Sequence, residues 1–212
     1  MLISVYLTGG GLDQEEYIAT YLEDCARIAK SIDRKNIFEM CSIIKDIRSQ
    51  GGRLFILGVG GSAANASHAV NDFRKLANIE SYTPIDNVSE LTARVNDDGW
   101  ETVFSNWLKG SKLNSKDGVL VFSVGGGHEE KNISVNLIHA LKYAKSRHAK
   151  ILGIVGRDGG YTAKVADACV VVPPLNNDTV TAHTESFQAV IWHLLVSSPG
   201  IKEVEMKWES TK

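Results

Sequence analysis

The sequence has no surplus of either charge. Its 212 residues hold 23 Lys and Arg against 25 Asp and Glu, a formal charge of −2 at pH 7. That balance gives no electrostatic footprint for nucleic acid. Cysteine is scarce: Cys25, Cys41 and Cys169 sit inside apolar patterns with no paired spacing. They read as buried small hydrophobes of a reducing cytosol, not a disulfide framework. No run of 18 apolar residues occurs, so no membrane-spanning helix is expected. Residues 1–11 lack a basic stretch and a small-residue cleavage site and do not read as a signal peptide. They read as a strand, an arm or a lead-in. Low-complexity tracts and repeats are absent as well. These absences describe a cytoplasmic protein that engages neither nucleic acid nor membrane.

Three catalytic signatures are also missing. Gly58-Val59-Gly60-Gly61-Ser62 lacks the third glycine of the dinucleotide fingerprint. No lysine of the nucleoside-triphosphate loop follows it, and the chain has no Gly-x-Ser-x-Gly elbow. Nicotinamide, nucleoside-triphosphate and serine-hydrolase chemistry are thereby set aside.

What is present is an ordinary globular composition, 43% hydrophobic and 23% charged. Its length suits one domain with a sizeable core. We read 1–52 as an arm and helical hairpin, 53–197 as the core and 198–212 as a tail. Two glycine-rich loops dominate that core. Leu54-Phe55-Ile56-Leu57 empties into Gly58-Val59-Gly60-Gly61-Ser62, and Val119-Leu120-Val121-Phe122 into Ser123-Val124-Gly125-Gly126-Gly127. Glycine lets backbone N–H groups approach an anion, serine adds a hydroxyl, and a following helix adds its dipole. Two such loops on neighbouring strands imply one phosphorylated ligand between them.

Apolar periodicity predicts helices over 13–32 and 37–47, ended by Gly51-Gly52. Strands are expected at 53–59, 82–85, 119–123, 150–155 and 169–172. Helices are expected at 62–76, 88–95, 101–112, 134–147, 161–166 and 181–197. Residues 96–99, Asn-Asp-Asp-Gly, read as a turn. The alternation predicts an α/β fold, a five-stranded parallel, flavodoxin-like three-layer sandwich, with ligands at the carboxyl ends of its strands.

The spacing of His68 and Asp72 puts both on one helix face. Glu185 and His193, just over two turns apart, share a face of the last helix. Each pair alone fits a surface pair or a core histidine; together they suit acid–base work or a metal site of two nitrogens and two oxygens. Asn96 and Asp97 fit either a turn or hydroxyl recognition. Residues 128–131 read as a solvated flap or a cover over a phosphosugar. Arg157 and Asp158 fit a turn or the site's border, and His139 and His148 read as surface residues.

The ordered set of Gly60-Gly61-Ser62, His68, Asn87-Val88-Ser89, Asn96-Asp97, the Ser123 loop, Gly156-Arg157-Asp158-Gly159-Gly160, Glu185 and His193 resembles the sugar isomerase (SIS) domain family, and within it the phosphoheptose isomerases. The resemblance covers most of the chain. It implies a homotetramer with sites at subunit interfaces. The implied reaction takes sedoheptulose 7-phosphate to glycero-manno-heptose 7-phosphate through an enediol, for activated-heptose and surface-glycan synthesis such as lipopolysaccharide or capsule. It implies ligand contacts from Val59, Gly60, Gly61, Ser62, Ser123, Val124, Gly125, Ser134 and Glu185, and sugar contacts from Asn96 and Asp97. It places His68, Asp72, Glu185 and His193 at catalytic and metal positions where some members bind Zn²⁺. Asp72, the preferred base, stands where the family has glutamate, Glu185 where it has glutamine and Val59 where it has asparagine. The second loop carries extra residues, 128–133. The resemblance leaves open a non-catalytic phosphosugar binder, a relative that tethers a replication initiator, and an isomerase of another phosphosugar.

Overall fold

The computed structural model describes residues 13–205. The expectations for residues 1–11 and for the end of the tail lie outside the described residues. The chain opens with two helices, α1 (Gln14–Ser31) and α2 (Arg34–Ser49). Aspartates start both. Asp13 accepts from Glu16 N–H, and Asp33 accepts from the N–H groups of Lys35 and Asn36. The Asn36 side-chain amide adds to these bonds and holds the Asp33 carboxyl below its ordinary pKa.

Alternation of strand and helix follows: β1 (Leu54–Leu57), α3 (Gly61–Lys75), β2 (Ser81–Tyr82), α4 (Val88–Asp98), α5 (Val103–Gly110), β3 (Gly118–Ser123), α6 (Val135–Ser146), β4 (Lys150–Val155), α7 (Gly160–Val165), β5 (Ala168–Val171) and α8 (Val180–Ser197). The five strands pair in the order β2-β1-β3-β4-β5, all parallel. This is the expected flavodoxin-like sheet.

Side-chain alternation sorts the core into two layers. Leu54, Ile56, Leu120, Phe122, Leu152 and Ile154 face one way, onto α2, α3 and α8. Phe55, Leu57, Val119, Val121 and Ile151 face the other, onto α5 and α6. At the amino end of the sheet, buried Asp117 accepts from Arg53 N–H and its guanidinium. That bonding raises the Arg53 pKa further. The carboxyl ends of the strands are left to the glycine loops.

Three expectations are corrected. The strand expected at 82–85 is instead the two-residue β2, which ends at Tyr82, and the chain turns at residues 84–86. Residues 96–98 are not a turn: α4 runs through Asp98 and ends at Gly99, whose φ of +82° makes the stop. Leu91 and Val95 pack on the second core layer, which carries the helix past its turn-forming residues. The cysteines are free as expected, but all three are half-buried instead of fully enclosed.

Candidate active site

Gly60 turns β1 into α3 with φ +65°, a conformation that favours glycine. α3 and α8 then pack side by side and run in the same direction. Their cross-contacts climb in register. Asn65 donates to Glu185 O (2.9 Å) and Gln188 Oε1 (2.8 Å), and Gln188 Nε2 donates to Ser62 Oγ (3.0 Å). Further along, Trp192 Nε1 donates to Asp72 Oδ2 (3.0 Å), and His68 meets His193 edge to face.

The far rung is the chemical cluster. His193 Nε2 lies 3.3 Å and His68 Nε2 3.6 Å from Asp72 Oδ2. The three ligand atoms fall within 4.8 Å of one another. Asp72 is buried, and both imidazoles are exposed. His193 Nδ1 sits 2.9 Å from Ala189 O, so that nitrogen carries the proton and donates it. Nε2 then presents a lone pair to a carboxylate oxygen. Two acceptors at that separation need a proton or a cation between them. Two imidazoles, a carboxylate and open solvent on one side fit a catalytic zinc site, and the Ala189 bond is the orienting contact such a histidine makes.

Glu185 does not join that group. It sits at the near rung, beside Gly61: a Cβ on Gly61 would stand 2.5 Å from its Oε2. Two helical turns separate it from His193, about 12 Å at 1.5 Å per residue. The shared face expected from spacing holds, but Glu185 stands two turns of α8 away from the cluster of His68, Asp72 and His193.

The two glycine loops meet at a cleft of about 790 Å³. Val59, Ser62, Ser123, Val124, Gly125 and Ser134 line it. Gly60 and Gly61 form the turn beside it. Asn96 and Asp97 do not reach it; they are exposed on α4 and bond to each other. The cleft also takes His128, Lys131, Arg157 and Asp158, which the sequence left between turn and site. Residues 128–133 form a tight hairpin closed by paired backbone bonds between His128 and Ile133. Trp192, the direct partner of Asp72, was not singled out. Its signal was an indole four residues beyond Gln188 on a helix already carrying Glu185 and His193.

Comparison with known proteins agrees with this architecture. The profile described as the SIS domain matches residues 16–156. A phosphoheptose isomerase of Chlorobaculum tepidum is 31% identical over 174 residues, 77% of this chain and 80% of that protein. The lincomycin biosynthesis protein LmbN of Streptomyces lincolnensis is 27% identical over 84% of this chain, which spans 66% of that longer relative. The structure of phosphoheptose isomerase GmhA from Neisseria gonorrhoeae superposes with a TM-score of 0.74 at 24% identity, over 86% of this chain and 97% of that one. At that identity the superposition speaks for the fold.

Proposed function

The chain belongs to the SIS domain family, and we propose that it interconverts sedoheptulose 7-phosphate and glycero-manno-heptose 7-phosphate through an enediol. It is a phosphosugar isomerase, in keeping with relatives such as the phosphoheptose isomerase of Chlorobaculum tepidum. The observation that carries the finer reading is the separation of the two ends of the site. From Ser62 at the cleft to His68 is six residues of helix, about 9 Å. An extended chain of single bonds, at roughly 1.2 Å each, covers about 8 Å from C1 of a seven-carbon sugar to the oxygen of its phosphate. Phosphate at the glycine loops therefore puts C1 and C2 beside His68, Asp72 and His193.

In this reading Asp72 takes the carbon-bound proton next to the carbonyl and returns it to the neighbouring carbon. His193 moves the proton between the two oxygens. Trp192 fixes the carboxylate while this happens, and Glu185 stands at the cleft end, beside Gly61. His68, Asp72 and His193 would hold Zn²⁺, and Asp72 and His193 would have to be released from it to transfer protons, so a ligand exchanges during turnover. When bound, the ion supplies Lewis-acid polarisation of the carbonyl.

We further propose a homotetramer with shared sites, in a reducing cytoplasm. Exposed Tyr17, Ile18 and Leu22 on α1, Phe38 on α2 and Val190 and Leu194 on α8 support association. In such a shared site, Asn96 and Asp97, which lie off their own cleft, would meet a sugar held by a second copy. The product would feed activated-heptose and surface-glycan synthesis.

The test is a coupled assay with sedoheptulose 7-phosphate, run with EDTA and with added Zn²⁺. Turnover that EDTA lowers and Zn²⁺ restores is expected. Tight binding of the phosphosugar without turnover under either condition overturns the isomerase reading and makes the chain a phosphosugar binder.

A further inference from the structure

The second glycine loop spends its donors on itself. Gly126 N–H donates to Ser123 Oγ at 3.0 Å. Gly126 O accepts both the N–H (2.9 Å) and the hydroxyl (2.8 Å) of Thr162, and Gly127 O accepts from Tyr161 N–H. Gly156 N–H is shared between Ser123 O and Val124 O. These bonds lock the loop onto the start of α7. Of its polar groups, Ser123 keeps one hydroxyl proton for a ligand, and the N–H groups of Val124, Gly125 and Gly127 make no bond among the described residues; of these, Ser123, Val124 and Gly125 line the cleft. The second loop thus brings three donors to the cleft, fewer than a phosphate dianion can accept.

Cations stand where donors are short. Lys131 projects from the hairpin of residues 128–133 into the cleft, and Arg157 enters from the turn after β4. The Arg157 side chain passes over the loop: its Cδ is 4.0 Å from where a Cβ on Gly125 would stand. Neither cation has a carboxylate partner among the described residues. Two of the nearby acids are engaged elsewhere, and Glu130 forms no ion pair with either cation. Asp158 Oδ1 accepts from Gly160 N–H at 3.1 Å. Glu129 pairs with Lys142 of α6 at 2.6 Å, which ties the hairpin to the body of the protein. Arg157 (φ +52°), Asn132 (φ +52°) and Ser134 (φ +50°) all hold left-handed backbone around this rim. Three non-glycine residues in that region mark a rim whose shape the surrounding structure imposes.

We propose that Lys131 and Arg157 are the anion-binding side chains of this cleft, and that they grip the phosphate monoester of the substrate. The assignment rests on the phosphosugar reading given above and gives the hairpin a purpose within it. Arg157 brings a planar fork over Gly125, and Lys131 adds a point charge from the hairpin.

Inorganic phosphate is the first probe, by calorimetry and thermal shift on the full-length protein. Lys131→Gln and Arg157→Gln keep the stems and the backbone conformation while removing charge. Each is expected to weaken phosphate binding about 10-fold or more, with Arg157→Lys recovering part of the loss. Sedoheptulose 7-phosphate is the second probe: KM should rise by a similar factor while kcat stays within about 3-fold. Phosphate affinity and KM unchanged in both variants overturn the proposal, as does wild-type protein that phosphate does not stabilise. If the wild type binds phosphate through these residues but turns no sugar over, the anion site stands and the isomerase reading falls. If it turns sugar over with unchanged KM in the variants, the reverse holds.

Discussion

The indole of Trp192 donates to the buried carboxylate of Asp72 at 3.0 Å. The same ring stacks on Phe122 of β3 and meets His68 edge-on. Asp72 is thus bolted to the sheet through one side chain. Trp192→Phe keeps the packing volume close and deletes the donor. A buried carboxylate oxygen losing its partner costs about 1–3 kcal/mol, which urea unfolding should read. Turnover should fall with it, and KM should hold because the cleft is untouched.

His193 and Asp72 carry the proton transfers in the proposed reaction. His193→Gln and Asp72→Asn should each lower kcat about 100-fold or more, the usual worth of positioned acid–base groups. Glu185→Gln separates the two carboxylates. A loss under about 10-fold assigns the carbon-bound proton to Asp72, and a loss matching Asp72→Asn assigns it to Glu185. Near-wild-type turnover in both His193→Gln and Asp72→Asn removes the cluster from the mechanism.

Much of this arrangement was legible because it is periodic. Strand runs such as Val119-Leu120-Val121-Phe122 are buried on both faces, and the 3.6-residue stripes placed the long helices to within a few residues. His68 and Asp72, one turn apart, had to share a face. The misreading of Asn96 to Asp98 came from composition: these residues favour turns, yet Leu91 and Val95 hold their helix on the core through its last turn. The roles of Lys131 and Arg157 were illegible for another reason. No period governs a hairpin or a turn, so the direction of a side chain leaving one is set by tertiary contacts such as Glu129 with Lys142.

Gly61 makes room for Glu185. Gly61→Ala would set a methyl within 2.5–2.7 Å of the carboxylate, the mobile end of a long side chain. The fold should tolerate this, with a change in unfolding free energy of about 1 kcal/mol or less, since alanine also favours the helix. Catalysis or sugar affinity should change more, because the carboxylate must leave its place beside the cleft. A thermal melt alongside steady-state kinetics checks the split.

Cys169 packs against Gly153 and Thr162, and burial pushes its thiol pKa up to about 12. The fold therefore favours the neutral thiol. That contribution is fully present below the ordinary value of 9.0 and is lost as pH rises toward 12. Two outcomes follow. At pH 8 iodoacetamide should leave Cys169 unmodified in the native protein and label it in urea, as peptide mass mapping would show. Above pH 9 stability should decline, and Cys169→Ala should flatten that decline.

Because α3 and α8 run parallel, their positive ends lie together at the cleft and their rungs succeed one another in a set order. Glutamate, glutamine, tryptophan and histidine follow in turn along α8 while glycine, serine, histidine and aspartate follow along α3. In the proposed reaction the pair would work as a graduated ruler, with the anion clamped at zero and the proton relay engraved at a fixed mark. Substrate choice then becomes a measurement of length. A shorter sugar phosphate anchored at the loops leaves its carbonyl short of the mark, whatever its hydroxyl stereochemistry.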